Sequence, residues 1–237
     1  MSARIAVLAS GGGTNLQTLL DYFNGGKGPE GVQDAARVAL VVSDRADAGA
    51  LERARRTGVP ERVIPVGGRA EDDVVHDTIE AFQAAGVELV ALAGYLRRIP
   101  AAVVARYRGR VVNVHPALLP AFGGQGMYGL RVHAAVLAAG CTVSGASVHM
   151  VDEQYDTGPI LLQWPVPVLA SDAPETLAAR VLEVEHRIYA PAVEALARAL
   201  ARGEPVPSLR LREPAGFRLA RWEPPAVSDV RKTLGIS

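Results

Sequence analysis

Apolar positions follow two rhythms along the chain. In the first half they form short, nearly continuous β-branched runs: Arg4–Ala9 (RIAVLA), Arg37–Ser43 (RVALVVS), Glu61–Val66, Val87–Ala93 (VELVALA) and Arg110–His115 (RVVNVH). Such runs predict strands covered on both faces. Between them the spacing turns helical. Thr14 is placed to cap a helix with Leu16, Leu19, Leu20 and Phe23 on one side. A second helix is expected to start at Asp44 or Asp47 and end near Gly58, and a third to span Ala70–Ala85. This β-α-β-α alternation predicts an α/β fold, a doubly wound, mostly parallel sheet with helices on both faces. After His115 the pattern changes. Residues 116–130 read as a loop, with Pro116, Pro120 and four glycines from Gly123 to Gly129. Strands are expected at Thr142–Val151 and Gly158–Leu169. A long helix follows from Pro174, capped by Asp172, kinked or interrupted at Pro191 and ended by Gly203. Beyond residue 204 five prolines (205, 207, 214, 224 and 225) predict an extended or partly ordered tail.

Composition narrows the class. With 237 residues, 49% of them apolar and 21% charged, the chain resembles ordinary globular domains and has no bias toward disorder. Lys+Arg and Asp+Glu both number 25, which argues against a duplex-binding protein. Cys141 is the single cysteine, so an internal disulfide is impossible and a cytoplasmic location is the natural expectation. No apolar run approaches the roughly 18 residues of a membrane span, and Ile5–Ala9 is too short for a signal-peptide core. The neutral balance hides a local asymmetry. Between Glu88 and Asp152 there is no acidic residue, while arginines stand at 97, 98, 106, 108, 110 and 131. Small anions are therefore the expected ligands of that stretch.

Four segments could carry chemistry. Ser10-Gly11-Gly12-Gly13-Thr14-Asn15 links the first strand to the first helix, where outward N–H groups and the helix dipole favour an anion. It is not a dinucleotide fingerprint, because Leu16 stands where the third glycine belongs, and it has no Walker lysine. A tight turn without a ligand is the plainer alternative. Asn113 and His115 alternate at the carboxyl end of a strand, so both leave one face, at the edge where open α/β sheets bind ligands. An amide can donate to a developing oxyanion and a histidine can supply a proton, though a polar pair at a strand end needs no function. Asp156 precedes Thr157-Gly158-Pro159, which by itself is turn chemistry. A carboxylate near a histidine would orient it and raise its pKa. His149, inside a strand, reads as a core or network histidine. Gly94-Tyr95-Leu96-Arg97-Arg98-Ile99 follows a buried strand, and its arginines could meet a carboxylate or phosphate. Histidines 115, 133 and 149 lack compact metal-ligand spacing, so no metal is expected.

Taken together, ASGGGTNLQ, AGYLRRI, NVHPALLPAF, SVHMVDEQYDTGPILLQ and VLEVEHRIYAPAVE, in that order, closely resemble the phosphoribosylglycinamide formyltransferase family of purine biosynthesis. The resemblance runs from about Arg4 to about Pro205. It implies a Rossmann-like formyltransferase domain over 1–205, with halves of about 1–115 and 116–205, followed by a Pro-rich extension over 206–237. It implies transfer of a formyl group from 10-formyltetrahydrofolate, as co-substrate, to the amine of 5-phosphoribosylglycinamide. By family match, Asn113, His115 and Asp156 form the catalytic trio. Gly13, Thr14 and Asn15 hold the substrate phosphate, and Glu185 meets the ribose hydroxyls. The folate side falls to Arg69, Leu96, Arg97, Arg98, Ile99 and Asn113. The implied partners are small molecules, with no nucleic acid, membrane or metal, and the chain would act as a monomer or homodimer. Two stretches differ from the family pattern: Phe122–His133 is longer than the short loop of many members, and the tail runs past the common core.

Two relatives share the chemistry. Formyltetrahydrofolate hydrolase carries an N-terminal regulatory domain, for which a first strand at Arg4 leaves no expected room. Methionyl-tRNA formyltransferase lacks the early phosphate loop and carries a longer C-terminal domain. A nucleotide-binding module or NAD-type dehydrogenase would draw on the glycine turn and Asp44, and Leu16 argues against it.

Overall fold

A computed structural model describes residues 2–29, 32–206 and 223–235. In chain order the elements are β1 (Ala3–Leu8), α1 (Thr14–Phe23), α2 (Val32–Ala35), β2 (Ala36–Ser43), α3 (Gly49–Arg56), β3 (Glu61–Val63), α4 (Glu71–Ala84), β4 (Leu89–Leu92), α5 (Ala101–Arg106), β5 (Val111–His115), α6 (Leu130–Ala138), β6 (Val143–Met150), β7 (Ile160–Pro167), α7 (Pro174–Ala201) and α8 (Val227–Leu234). Among the described residues the strands form one seven-stranded sheet in the order β3-β2-β1-β4-β5-β6-β7. The pairs β1–β2, β1–β4, β2–β3 and β4–β5 are parallel, and β6–β7 is antiparallel. The mostly parallel sheet is therefore as expected. Every strand read from the sequence is present, and β3 keeps the smallest share of its expected range, Glu61–Val63 of Glu61–Val66.

The chain divides into two compact units, Met1–Asn113 with Leu196–Val206, and Val114–Ala195 with Pro207–Ser237. In the first unit β1 is the centre, with Ile5, Ala6 and Val7 fully buried. The chain runs from β1 outward through β2 to β3, then returns to the other side of β1 at β4. That reversal is the switch point at whose carboxyl edge open α/β sheets bind ligands, and Ser10–Asn15 lies there. Leu16, Leu19, Leu20 and Phe23 are buried, as the helical spacing predicts.

In the second unit, Leu177, Val181, Val184 and Ile188 give α7 a buried stripe at steps of three and four. Of the kink or interruption expected at Pro191, the interruption does not occur, because the helix continues through that residue. A proline in a helix costs about 3 kcal/mol. Burial of Ile188, Tyr189, Val193 and Leu196 around it outweighs that, at about 1.5–3 kcal/mol for a large aliphatic side chain. Gly203 ends the helix as expected: at φ +66 it donates to Leu200 O, and Glu204 N–H donates to Ala199 O, a Schellman closure.

The caps differ from expectation. Gly13 rather than Thr14 precedes α1, and Ala48 rather than Asp44 or Asp47 precedes α3. Both aspartates are instead held by arginines, Asp44 by Arg97 and Asp47 by Arg45. Asp172 accepts from Leu169 N–H, Thr176 Oγ1 and Arg180, while Thr176 Oγ1 takes the Ala173 N–H. The tail, expected to be extended or partly ordered, carries the helix α8 over Val227–Leu234. Val230 is fully buried, Arg231 pairs with the buried carboxylate of Glu194 on α7, and Arg187 donates to Pro225 O at 3.2 Å. Residues 207–222 of that tail lie outside the described residues.

Candidate active site

In the first unit, α3 holds the turn between β1 and α1. Ala50 N–H donates to Gly11 O at 3.1 Å, Arg53 Nε donates to Gly12 O at 2.7 Å, and Arg53 Nη1 donates to Gln17 at 3.0 Å. With these carbonyls drawn to α3, the exposed Gly11, Gly12 and Thr14 line the open side of the turn. Gly13 has φ +73, and a Cβ there would stand 2.9 Å from Ala50 Cα. Only glycine lets α1 begin so close to α3. The first-turn N–H groups of an α-helix have no intrahelical acceptor and attract anions, and this turn offers that chemistry. Asn15 is buried at its base.

The loop after β4 is tied to the same turn. Ser10 N–H donates to Gly94 O at 3.1 Å and Leu96 N–H donates to Ser10 Oγ at 2.9 Å. Arg97 Nε reaches Asp44 Oδ2 at 2.9 Å; the Asp44 side chain is 3% exposed and that of Arg97 52%. Burial, and then the charge of Asp44, push the Tyr95 hydroxyl well above its ordinary range. Leu96 and Arg98 are exposed and Ile99 is buried. Arg69 is engaged elsewhere, pairing with Asp77 at 2.8 Å and donating to Pro65 O at 3.4 Å. This pairing holds the Asp77 carboxyl below its usual value. His76, Asp77 and Glu80 form a group of potential metal ligands on α4, far in sequence from the motifs above. Asn113 stands on β5 opposite Leu92.

In the second unit, His115 ends β5, buried at 3% exposure. Its Nε2 lies 2.8 Å from Phe122 O, a carbonyl, so Nε2 carries a hydrogen and donates. Its Nδ1 faces Asp156 Oδ2 at 3.6 Å. Asp156 takes φ +56, a left-handed conformation that Asp tolerates better than most residues. The same Oδ2 accepts the Gly124 N–H at 2.9 Å, and Oδ1 lies 3.4 Å from His149 Nε2. His149 Nδ1 is 2.9 Å from Met150 O. Asp156 thus sits between two imidazoles whose far nitrogens both face backbone carbonyls. Gly123 packs against it, since a Cβ there would stand 3.2 Å from Asp156 Cβ. The long glycine stretch therefore supplies part of the carboxylate's surroundings. Beneath His115, Ser147 fixes the Ala117–Leu119 segment. Its hydroxyl donates to Ala117 O at 2.6 Å and accepts from Leu119 N–H at 2.9 Å, while Gln163 Nε2 donates to Leu119 O at 2.7 Å. Glu185 is buried on α7 and His133 on α6.

Electrostatics refine the expectation for His115. Burial pushes it below its ordinary 6.5, and the opposing pull of Asp156 and of Phe122 O does not compensate. Asp156 stays below 3.8. Burial opposes this, but the bond from His149, the charge of His115 and the Gly124 N–H outweigh it. The expected upward shift of His115 by the carboxylate is thus real as a contribution but loses to desolvation.

A model of the formyl transferase family matches residues 3–193, most of the chain and both clusters just described. The chain belongs to the formyl transferase family. This formyl transferase is 42% identical over 198 residues to the chloroplastic phosphoribosylglycinamide formyltransferase of Arabidopsis thaliana, covering 81% of the chain but 65% of that relative. It is 36% identical to phosphoribosylglycinamide formyltransferase of Haemophilus influenzae, covering 78% of the chain and 83% of the relative. Among solved structures, glycinamide ribonucleotide transformylase 1 from Symbiobacterium toebii superposes with TM-score 0.75 at 43% identity, covering 84% of this chain and 89% of that one. The chain thus spans about two thirds of the length of the plant relative. Among the described residues no helix is long and apolar enough to cross a membrane.

Within the family's motifs, residues that were given no role from sequence do much of the holding: Ser10, Ser147 and Gln163, joined by Arg53 from outside them. Arg53 is 41 positions from Gly12 and no local signal points to it. Ser147 lies on the expected strand Thr142–Val151, and its burial emerges only in the fold.

The formyl transferase is expected to lose stability on mild acidification. Burial lowers both His115 and His133 below 6.5 in the folded state. The unfolded chain therefore takes up protons first, and stability falls as pH drops from above 6.5 through the folded values. Asp156, lowered below 3.8, adds a loss only in stronger acid. Thermal melts at about pH 7.5, 6.5 and 5.5 should show a falling Tm, with a shallower slope in His115→Asn; a Tm that rises with acid contradicts the assignment.

Proposed function

We propose that the chain transfers the formyl group of 10-formyltetrahydrofolate to the amine of 5-phosphoribosylglycinamide, giving the N-formyl product and tetrahydrofolate, in the cytoplasm. The observation that carries this reading is the buried His115–Asp156 pair at the end of β5, with Asn113 two positions before it. The names of the relatives and the anion-receiving turn at Gly11–Asn15 support it.

The chemistry follows from the side chains. The substrate amine attacks the formyl carbon, and negative charge develops on the formyl oxygen. Asn113 supplies a donor to that oxygen, and His115 supplies a second only by releasing Phe122 O, to which its Nε2 donates here; losing one such donor costs about 3–4 kcal/mol, or 10²–10³ in rate. The bond from the formyl carbon to the folate nitrogen then breaks, and the proton lost by the amine passes to that nitrogen. Because burial disfavours the charged imidazole, His115 is a ready proton donor once charged, and Asp156 steadies it. Gly13, Thr14 and Asn15 take the phosphate of the amine substrate, and Glu185 takes its ribose hydroxyls. Leu96, Arg97, Arg98, Ile99 and Asn113 serve the folate. Arg69 serves it only by leaving Asp77, with which it pairs here. The chain acts as a monomer or homodimer on small molecules, without nucleic acid, membrane or metal.

The test is the dependence of tetrahydrofolate release on the amine. Release should rise at least about a hundredfold when 5-phosphoribosylglycinamide is added to enzyme and 10-formyltetrahydrofolate. Equal release without it makes the chain a hydrolase.

A further inference from the structure

The turn that opens α1 and the loop that follows β4 are joined through one buried residue. Ser10 is 2% exposed and contributes both its backbone and its side chain: its N–H goes to Gly94 O at 3.1 Å, and its Oγ takes the Leu96 N–H at 2.9 Å. It is also the residue immediately before Gly11-Gly12-Gly13. Ser10 grips the exposed stretch of that loop, which lies between the buried Ala93 and Ile99. Gly94 sits at φ +74 with open space where a Cβ would be, and Leu96 is 51% exposed. Its next anchor is Arg97 on Asp44, at 2.9 Å, with the arginine half in solvent. Asp44 Oδ1 is buried and has no hydrogen-bond partner among the described residues, so the resting loop leaves one bond unmade.

We infer that Ser10 is a positioning residue that couples the two substrates: an anion on the Gly11–Asn15 turn fixes Ser10, and Ser10 fixes the Leu96 amide on the folate side. The inference rests on the proposed function for what each loop binds. A coupling of this kind is reciprocal, so each ligand tightens the other by the same factor, typically about 5–150-fold. Ordering a loop once for two ligands supplies that factor without direct contact between them.

The experiment uses the full chain, 5-phosphoribosylglycinamide, and tetrahydrofolate, which has no formyl group to transfer. Calorimetric titration of each ligand, alone and with the other saturating, should show about tenfold mutual tightening in the unaltered chain. Ser10→Ala should leave each separate Kd within about threefold and bring the mutual factor to within about twofold of one. Asp44→Asn should weaken tetrahydrofolate alone and keep the mutual factor, because the Ser10 bonds remain. Independent binding in the unaltered chain, or full coupling in Ser10→Ala, overturns the inference and leaves the proposed function standing. Failure of both ligands to bind overturns both. A second readout needs no variant: the Leu96 amide should exchange its hydrogen several-fold more slowly when 5-phosphoribosylglycinamide is added alone, and unchanged exchange counts against the coupling.

Discussion

Asp156→Asn is expected to lower kcat by about 10³-fold while leaving the protein folded. The backbone tolerates the change, since Asn accepts φ +56 as readily as Asp and the two are isosteric. The chemistry does not tolerate it. Oδ2 accepts from Gly124 N–H and faces His115 Nδ1, and Oδ1 faces His149 Nε2. An amide must turn its NH₂ toward one of these neighbours. If it meets Gly124, two donors collide; if it meets His149, the oxygen left for His115 carries no charge. Either way the imidazolium of His115 loses its counter-charge in a buried site, where burial already disfavours it. Replacing the aspartate that steadies a catalytic histidine by asparagine has costs of up to about 10⁴ in rate. Steady-state kinetics with a thermal melt separates the outcomes: a Tm within a few degrees and kcat down about 10³ is expected, and kcat within tenfold removes Asp156 from the mechanism.

Gly13→Ala is the second large effect, and it falls first on stability. A non-glycine residue at φ +73 costs about 1–2 kcal/mol. The new methyl would also meet Ala50 Cα at 2.9 Å, and backbone cannot swing away as a side chain can. Overpacking of that kind adds about 1–3 kcal/mol, so a total of about 2–5 kcal/mol is expected. Separating α1 from α3 would also disturb the Arg53 bond to Gly12 O and with it the anion turn. Gly12→Ala is the control, with nothing within 4 Å of a Cβ, and should change stability by less than about 0.5 kcal/mol. Denaturant unfolding of both variants measures the difference; equal stabilities would mean that the close approach of α1 and α3 is wrong.

The strands were legible because burial on both faces writes itself into continuous β-branched runs. The helices α1, α4 and α7 were legible because each repeats a stripe over several turns. Among the shorter helices α3 was expected between β2 and β3, while α5 and α6 left no such trace. α5 spans six residues after Pro100, and α6 follows a glycine-rich stretch that reads as loop throughout. α8 sits among prolines, yet Val230 is buried and Arg231 anchors the helix on α7 through Glu194, a contact that only the folded chain creates. Site residues divide along the same line. Asn113 and His115 were visible through strand alternation. Asp156 looked like turn chemistry and is one, since its left-handed backbone is what delivers its carboxylate to two histidines. The caps failed for a reason of competition: Asp44 and Asp47 had arginines nearby that offered more than a helix N-terminus. Arg97 shows the limit of counting charge along the chain, because its stretch is free of acids in sequence while Asp44 lies 2.9 Å away in space.

The most direct test of the central claim follows the formyl carbon itself. With [¹³C]formyl-labelled 10-formyltetrahydrofolate, 5-phosphoribosylglycinamide and the purified chain, mass spectrometry should find one labelled N-formyl product for each tetrahydrofolate formed, and formate only at background. Labelled formate in step with tetrahydrofolate, with the amine unmodified, would contradict it.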